Sequence, residues 1–147
     1  MQDTVNQLSR TLALANRFIM QQLANRGLCD IAPSHGDIFM QLFTHGDMPM
    51  GELAERIDRD PSTATALVKK LARAGYVATA KSKMDKRVTV VSLTEKGAAL
   101  RPVFAEVSNE LYAAQARNLT QADFDTLNAT LHTVQENFKT ELEGTVK

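Results

Sequence analysis

The chain has 147 residues, with 17 basic and 17 acidic side chains and a single cysteine, Cys29. This length suits one compact domain with a buried core. Trp is absent and Phe and Tyr are few, so the core must consist of aliphatic side chains, which favours packed helices. One cysteine excludes an intrachain disulfide or a four-cysteine zinc site. With neither an apolar stretch long enough to span a bilayer nor a secretion signal, a cytoplasmic location is predicted.

The neutral net charge hides an uneven distribution along the chain. The segment from Arg59 to Val91 holds eight basic and two acidic residues. It therefore carries six excess positive charges, and the rest of the chain carries six excess negative ones. Such an asymmetry is expected of a protein that meets phosphate groups with one surface only. Segment 59–91 is thus the candidate nucleic-acid-binding segment.

Two helices are predicted in the N-terminal third of the chain. Apolar residues recur every three or four positions over 5–23, and Gly27 interrupts this pattern. Ser34 followed by Asp37 resembles a capping pair at the start of a second helix. An apolar stripe follows, and Gly46 supplies a residue that favours a left-handed helix stop.

Two short helices are expected after a turn at 47–49. The first covers 51–57. Asp60 is placed to cap the second, Pro61 occupies its first position, where the missing N–H costs nothing, and Gly75 ends it. Apolar residues repeat along it at the helical period: Ala64, Leu67, Val68 and Leu71. Two short helices joined by a tight turn have the spacing of a helix-turn-helix.

A β-hairpin and two further helices complete the predicted order. Residues 76–79 and 88–93 are rich in β-branched side chains and flank a polar tip. Thr94 is placed to cap the next helix, and Pro102 should bend or interrupt its early turns. Thr120, with Asp123 three residues later, should cap the last helix, whose apolar stripe comprises Phe124, Leu127, Leu131, Val134 and Phe138.

The exposed face of the helix that starts at Pro61 suits a DNA groove. It carries small polar residues early and basic residues late: Ser62, Thr63, Thr65, Ala66, Lys69, Lys70 and Arg73. Small side chains let a helix backbone approach base edges, and the N–H groups at a helix N-terminus can hold a phosphate. Alternatively, Ser62 and Thr63 simply complete the cap at Asp60. The basic hairpin that follows favours DNA contact.

The hairpin tip bears four cations, Lys81, Lys83, Lys86 and Arg87, and one acid, Asp85. A charged hairpin tip on its own is usually just solvated. Placed directly after a candidate recognition helix, it has the position and charge of a wing that reaches the minor groove or the DNA backbone.

These segments resemble the MarR-type winged helix-turn-helix transcriptional regulators. The similarity lies in 51–57, 60–65 and 71–77, and in Asp85-Lys86-Arg87 followed by 91–97, which matches the wing signature of that family. It is strongest from Gly51 to Gly97. One departure concerns the wing, since Ala78-Thr79 stands where many members carry a basic residue, and the charge lies instead at the tip.

The resemblance implies a role for several parts of the chain. Arg87 would touch DNA, and Asp85 would accept the hydrogen bonds that hold the wing in shape. The first and the last two helices of two subunits would interlock as a dimerisation domain. In such a dimer the recognition helices face successive major grooves of a pseudo-palindromic site, about 34–36 Å apart.

We therefore predict a mainly α protein with a small β-hairpin wing, a single MarR-like domain over 1–147. Segments 1–32 and 98–147 would form the dimerisation helices and 34–97 the DNA-binding region. The predicted DNA contacts are Pro61, Ser62, Thr63, Thr65, Ala66, Lys69, Lys70, Arg73, Lys81, Lys83, Lys86 and Arg87, and Asp85 structures the wing. The expected partners are double-stranded DNA, a second copy and a small-molecule effector, with no cofactor, metal or membrane.

The predicted function is a homodimeric, ligand-responsive repressor that binds a pseudo-palindromic operator. The alternative is a winged-helix module that binds a protein partner and lacks sequence-specific DNA binding. Catalysis is not expected, because Gly-x-Ser-x-Gly, phosphate-loop and His-Glu-x-x-His motifs are all missing from the sequence.

Weaker signals concern a thiol, a metal and a pocket. Cys29 has only Arg26 as a basic neighbour in the sequence, so an incidental thiol is favoured over a redox sensor. Cys29 and His35, with Asp30 and Asp37 nearby, form a minor metal hypothesis. Either an adaptable pocket or the core would accommodate the apolar set Phe39, Met40, Phe43, Met48 and Met50.

Overall fold

The computed structural model describes residues 3–145. In this part of the chain seven helices and three strands follow one another: α1 (Thr4–Ala24), α2 (Pro33–His45), β1 (Met48–Pro49), α3 (Met50–Arg56), α4 (Pro61–Arg73), β2 (Val77–Lys81), β3 (Thr89–Leu93), α5 (Glu95–Ala98), α6 (Arg101–Ala116) and α7 (Gln121–Gly144). The chain divides into two compact units, Met1–Leu111 and Tyr112–Lys147. None of the helices within 3–145 is both long and apolar enough to cross a membrane.

Side chains cap three helices at the predicted positions. Asp60 accepts a hydrogen bond from the backbone N–H of Thr63 (3.1 Å) at the start of α4. The Thr94 hydroxyl accepts one from the N–H of Gly97 (3.2 Å) at α5. Thr120 and Asp123 exchange backbone and side-chain bonds at α7. Because the first N–H groups of a helix have no partner inside it, each cap fixes where its helix begins.

The start of α2 differs from the prediction. The helix begins at Pro33, and the Nδ1 atom of His35 accepts a hydrogen bond from the N–H of Ala32 (3.0 Å). The predicted capping pair of Ser34 and Asp37 is therefore wrong. Pro33 has a backbone angle already suited to the first helical position, so the helix starts one residue before Ser34. The imidazole then takes the role that a Glu side chain takes in a capping box.

Helix ends follow the predicted glycine and proline signals. Gly75 has φ +84° two residues after the end of α4, and Gly46 has φ +77° directly after α2, conformations that favour glycine. The helix capped by Thr94 ends at Ala98, and α6 begins at Arg101. Pro102, which lacks an N–H and crowds the preceding turn, accounts for the interruption, as predicted.

A three-stranded antiparallel sheet in the order β1-β3-β2 carries the wing. Val91 lies at its centre, opposite Met48 on one side and Thr79 on the other. The predicted turn at 47–49 is wrong, because residues 48–49 pair as a strand. Lys81 likewise lies at the end of β2 rather than in the tip. Both differences arise from pairing with β3, which a two-residue segment cannot signal by its own periodicity.

The composition predicted an aliphatic core, but four aromatic rings form its centre. Phe39 lies with its ring centroid 4.8 Å from that of Phe104, 5.7 Å from Tyr76 and 5.8 Å from Phe43. Phe39, Phe43 and Met48 are buried. Of the apolar set expected to form either a pocket or the core, these three therefore belong to the core, while Met40 is exposed.

Gly97 packs directly on the backbone that leads from α4 into β2. A Cβ atom at this position would collide with the carbonyl oxygen of Tyr76 and would lie 3.1 Å from the side chain of Leu93. The Tyr76 carbonyl also accepts a hydrogen bond from the N–H of Thr94 (3.0 Å). A side chain at residue 97 would thus separate α5 from Tyr76, the residue that leads into β2.

We expect Gly97→Ala to lower the free energy of unfolding by about 3 kcal/mol, because the backbone around it is held by hydrogen bonds and cannot yield cheaply. Urea unfolding followed by circular dichroism measures the loss. Gly51→Ala is the matched control, since a Cβ there meets nothing within 4 Å on a helical backbone, and it should stabilise by up to about 1 kcal/mol. Equal midpoints for the two variants would contradict the close approach.

Candidate nucleic-acid interface

The polar face of α4 lies beside the wing. A groove of about 370 Å³ separates the two and is lined by Thr65 and Lys69 from α4 and by Thr79, Lys81 and Thr89 from the strands, together with apolar residues. Lys81 donates a hydrogen bond to the Thr89 hydroxyl (3.2 Å) across the hairpin. Hydroxyls and cations from both predicted contact elements thus converge on one surface.

The first turn of α4 is ordered by its own side chains. The Ser62 hydroxyl donates to Asp60 (3.1 Å), and the Thr65 hydroxyl donates to the carbonyl of Pro61 (2.8 Å). Bonds from Thr63 and then Ser62 lower the pKa of Asp60, so the cap is a carboxylate at neutral pH. The predicted cap role of Ser62 is therefore present. Its oxygen keeps acceptor capacity for a base edge.

The Asp60 carboxylate changes what this helix end can bind. It already holds the N–H of Thr63, and its negative charge repels a phosphate group. The helix N-terminus is thus poorly suited as a phosphate cradle. Phosphate attraction falls to the basic residues later in the helix.

The last turns of α4 face a second cavity. Lys70 and Arg73 line a space of about 430 Å³ together with Cys29, Asp30 and other residues of the α1–α2 loop. The structure thus divides the cations of α4 between two sides, with Lys69 towards the wing and the other two towards this loop.

The surroundings of Cys29 differ from those inferred from the sequence. Its thiol is exposed and free. Arg26, its expected basic neighbour, is paired with Glu106 (3.3 Å) and Glu110 (2.7 Å) on α6. Lys70 and Arg73 line the cavity with Cys29 instead, a proximity that the separation of more than 40 residues concealed.

His35 and Asp30, part of the minor metal hypothesis, are engaged in structural contacts. Asp30 accepts a hydrogen bond from the Tyr76 hydroxyl (2.9 Å), and burial together with this bond raises the pKa of Tyr76 to about 12. Burial, and then the charge of Lys70, lower the pKa of His35 against a smaller opposing effect of Asp30. Within residues 3–145 no three His, Cys, Asp or Glu side chains are grouped as metal ligands.

The wing tip is organised around one carboxylate. Asp85 accepts hydrogen bonds from the backbone N–H of Arg87 (3.0 Å) and from two guanidinium nitrogens of the same residue (3.1 Å each). These bonds lower the pKa of Asp85. Ser82, which sequence reasoning missed, adds a hydroxyl that accepts from the N–H groups of Met84 and Asp85. The sequence contained a signal for this role, because a serine just before an exposed turn can form an ST-turn with its hydroxyl.

Residues 31–89, which contain α2 to α4, β2 and the hairpin tip, match the model of the MarR family. Over these residues the chain is similar to the MarR family. One relative is the HTH-type transcriptional regulator SarZ of Staphylococcus haemolyticus, which is 28% identical over 102 residues, 69% of this chain and 68% of SarZ.

Two solved structures are similar to this chain over most of its length. The MepR–DNA complex of Staphylococcus aureus is 20% identical, with a TM-score of 0.82 over 93% of this chain and 99% of MepR. Bordetella bronchiseptica BpsR, whose DNA binding is regulated by 6-hydroxynicotinic acid, is 15% identical, with a TM-score of 0.77 over 91% of this chain and 99% of BpsR. They confirm the predicted winged-helix fold, mainly α with a small β wing. Among these relatives, SarZ is a transcriptional regulator.

Proposed function

We propose that this protein is a regulator of the MarR family, a homodimeric, ligand-responsive transcriptional repressor that binds operator DNA through α4 and the wing. The observation that carries the proposal is the juxtaposition of a polar α4 face with a basic hairpin across one groove. The similarity to MepR, which was solved bound to DNA, supports it. The alternative is a winged-helix module that binds a protein partner and lacks sequence-specific DNA binding. The DNA-binding experiment below distinguishes the two.

Each predicted contact then has a proposed role. Pro61 starts α4, and the small residues Ser62, Thr63, Thr65 and Ala66 approach base edges in the major groove. Phosphate contacts come from Lys69, Lys70 and Arg73, and the wing contributes Lys81, Lys83, Lys86 and Arg87. Asp85 orients Arg87, as its three hydrogen bonds allow. The division into dimerisation segments 1–32 and 98–147 around a DNA-binding region 34–97 is part of the same proposal.

Two substitutions separate positioning from base reading. Arg87→Ala should weaken binding to all duplexes and reduce the slope of log affinity against log salt by about 1, because one phosphate contact is lost. Thr65→Ala should instead alter the preference among duplexes, by about tenfold for one base pair. Fluorescence anisotropy across a salt series measures both.

The DNA for this test is a duplex selected from a random pool with the wild-type protein. Arg117→Ala is a matched control, because it also removes one positive charge but lies outside segment 59–91. Wild-type affinity in both test variants would show that the interface is misplaced. Equal binding of selected and scrambled duplexes by the wild type would favour the protein-interaction module.

The proposed dimer rests on two helices with uncovered apolar stripes. Leu12 on α1 is 62% exposed, and Phe138 on α7 is 56% exposed. α7 runs for 24 residues without a buried side chain. Since helices in water gain most of their stability by burying an apolar face, these stripes are proposed to be covered by the same helices of a second copy.

Leu12→Asp should weaken self-association at least about tenfold, because the charge would be buried in an apolar contact. Analytical ultracentrifugation over a range of protein concentrations measures the change. Gln7→Asp is the control, since it adds the same charge to α1 roughly 140° around the helix from residue 12. Equal dissociation constants for the two variants would show that the α1 stripe is not the interface.

An effector site is proposed in a cavity between α1, α2 and α6. Its volume is about 220 Å³, and its lining is largely apolar, with Met40, Phe104 and Leu111 among the contributors. α2 also packs against α4. A molecule in this cavity would therefore contact proposed dimerisation helices and the support of the recognition helix at once, so it could favour one spacing of the two recognition helices.

The polar groups that line this cavity indicate the charge of the effector. They come from Asp37 and Ser108, and no basic residue is among the lining residues. A carboxylate ligand would meet a like charge without a cationic partner. We therefore propose a small, partly apolar effector that is neutral or cationic, unlike the carboxylic acid that regulates BpsR.

Benzylamine, benzamide and benzoate test this proposal, because they have similar size and differ in charge. The amine and the amide should each bind about fivefold more tightly than benzoate, as judged by thermal shift and by release of operator DNA. Asp37→Asn should remove the difference between amine and benzoate. Tightest binding by benzoate in the wild type would contradict the proposed effector class.

A further inference from the structure

Met84 at the tip of the wing leaves nearly all its side chain in solvent. Its exposed fraction is 97%, the highest of any large apolar residue described. The next highest is Leu142 at 68%, which lies on α7, where a second copy is proposed to cover it. The proposed dimer does not cover Met84, because this residue belongs to the hairpin that is proposed to bind DNA.

The backbone beneath Met84 is held in one shape. The Ser82 hydroxyl accepts from the N–H of Met84 (3.2 Å) and of Asp85 (3.4 Å). Across the base of the loop, the backbone N–H of Ser82 donates to the carbonyl of Val88 (2.8 Å), and the backbone N–H of Val88 donates to the carbonyl of Asp85 (3.0 Å). The loop thus presents the thioether side chain outwards and does not fold it back onto the strands.

The charges around Met84 indicate the kind of surface that it meets. Lys83 and Lys86 flank it, while Asp85 and Arg87 form an ion pair that cancels both of their charges. This tip is attracted to dense negative charge. It is also continuous with the groove between α4 and the strands that is proposed to face DNA, which favours a nucleic acid over an anionic lipid surface.

We propose that Met84 is a minor-groove wedge, an inference that rests on the proposed function. The flanking cations bring the tip to the backbone, and the unbranched thioether enters the minor groove beside the major groove held by α4. There it partly unstacks one base step, as apolar side chains do in proteins that kink DNA. Flexible pyrimidine–purine steps cost least to open, so the wedge selects them at a position that no hydrogen bond reads.

The test uses a duplex selected from a random pool with the wild-type protein and carrying 2-aminopurine at successive positions beneath the wing. The wild type should increase the fluorescence at one step in each half-site and prefer a TA step there over AA by about tenfold. Met84→Ala should keep binding to the selected duplex, lose the fluorescence increase and reduce that preference to about twofold or less.

Two variants show whether the effect belongs to the apolar side chain. Met84→Leu should retain both the fluorescence increase and the step preference. Lys83→Ala should lower affinity and the salt slope but keep the fluorescence increase, because it removes only charge. All of these substitutions lie at exposed positions of the tip, so loss of folding does not confuse the comparison.

The outcomes separate the wedge from the function on which it rests. Selective binding by the wild type with no difference in fluorescence or step preference between it and Met84→Ala overturns the wedge and leaves the function standing. Equal binding of selected and scrambled duplexes overturns the function. Met84-dependent binding to phosphatidylglycerol vesicles without a fluorescence increase on DNA assigns the tip to lipid and overturns the wedge.

Discussion

Tyr76, between α4 and the wing, is the constraint on which the proposed DNA-binding surface depends. Its hydroxyl donates to Asp30 (2.9 Å), its ring contacts that of Phe39, and Lys96 lies 4.3 Å from its ring centroid. The neighbouring Gly75 carbonyl accepts from the Thr94 hydroxyl (2.6 Å). One residue thus links the α1–α2 loop, α2 and α5. The angle between α4 and the wing is fixed by buried contacts, so the surface is formed before DNA arrives.

The distribution of ion pairs explains how a neutral protein can bind a polyanion. Arg26 is neutralised by glutamates of α6, and Arg56 by Glu52 on its own helix. On α4, by contrast, the hydrogen bonds and ion pairs of the described residues include none from the side chains of Lys69, Lys70 or Arg73. The positive charges of these three side chains are therefore not cancelled by ion pairs. Uncancelled positive charge at a surface is what makes binding to phosphate strong and salt-dependent.

Several features were predictable because they are local. The limits of α4 are defined by the cap at Asp60, the fixed backbone angle of Pro61 and the positive φ of Gly75. Each of these depends on one residue and its near neighbours. Other features depend on distant partners. β1 exists because residues 48–49 pair with β3, and α2 starts at Pro33 with His35 in the cap, where local pattern suggested Ser34. Short segments have too little periodicity to indicate which strand they pair with or which side chain caps them.

By itself the sequence determined the order of the longer helices and of the hairpin strands, the basic middle segment and the fold class, because helix caps, helix breakers and charge depend on neighbouring residues. Only the tertiary structure decided which side each cation of α4 faces and that Ser82 holds the wing tip from which Met84 projects. The physical reason is one of scale. Propensity and capping act within one helical turn, whereas a surface is assembled from residues that chain folding brings together from far apart.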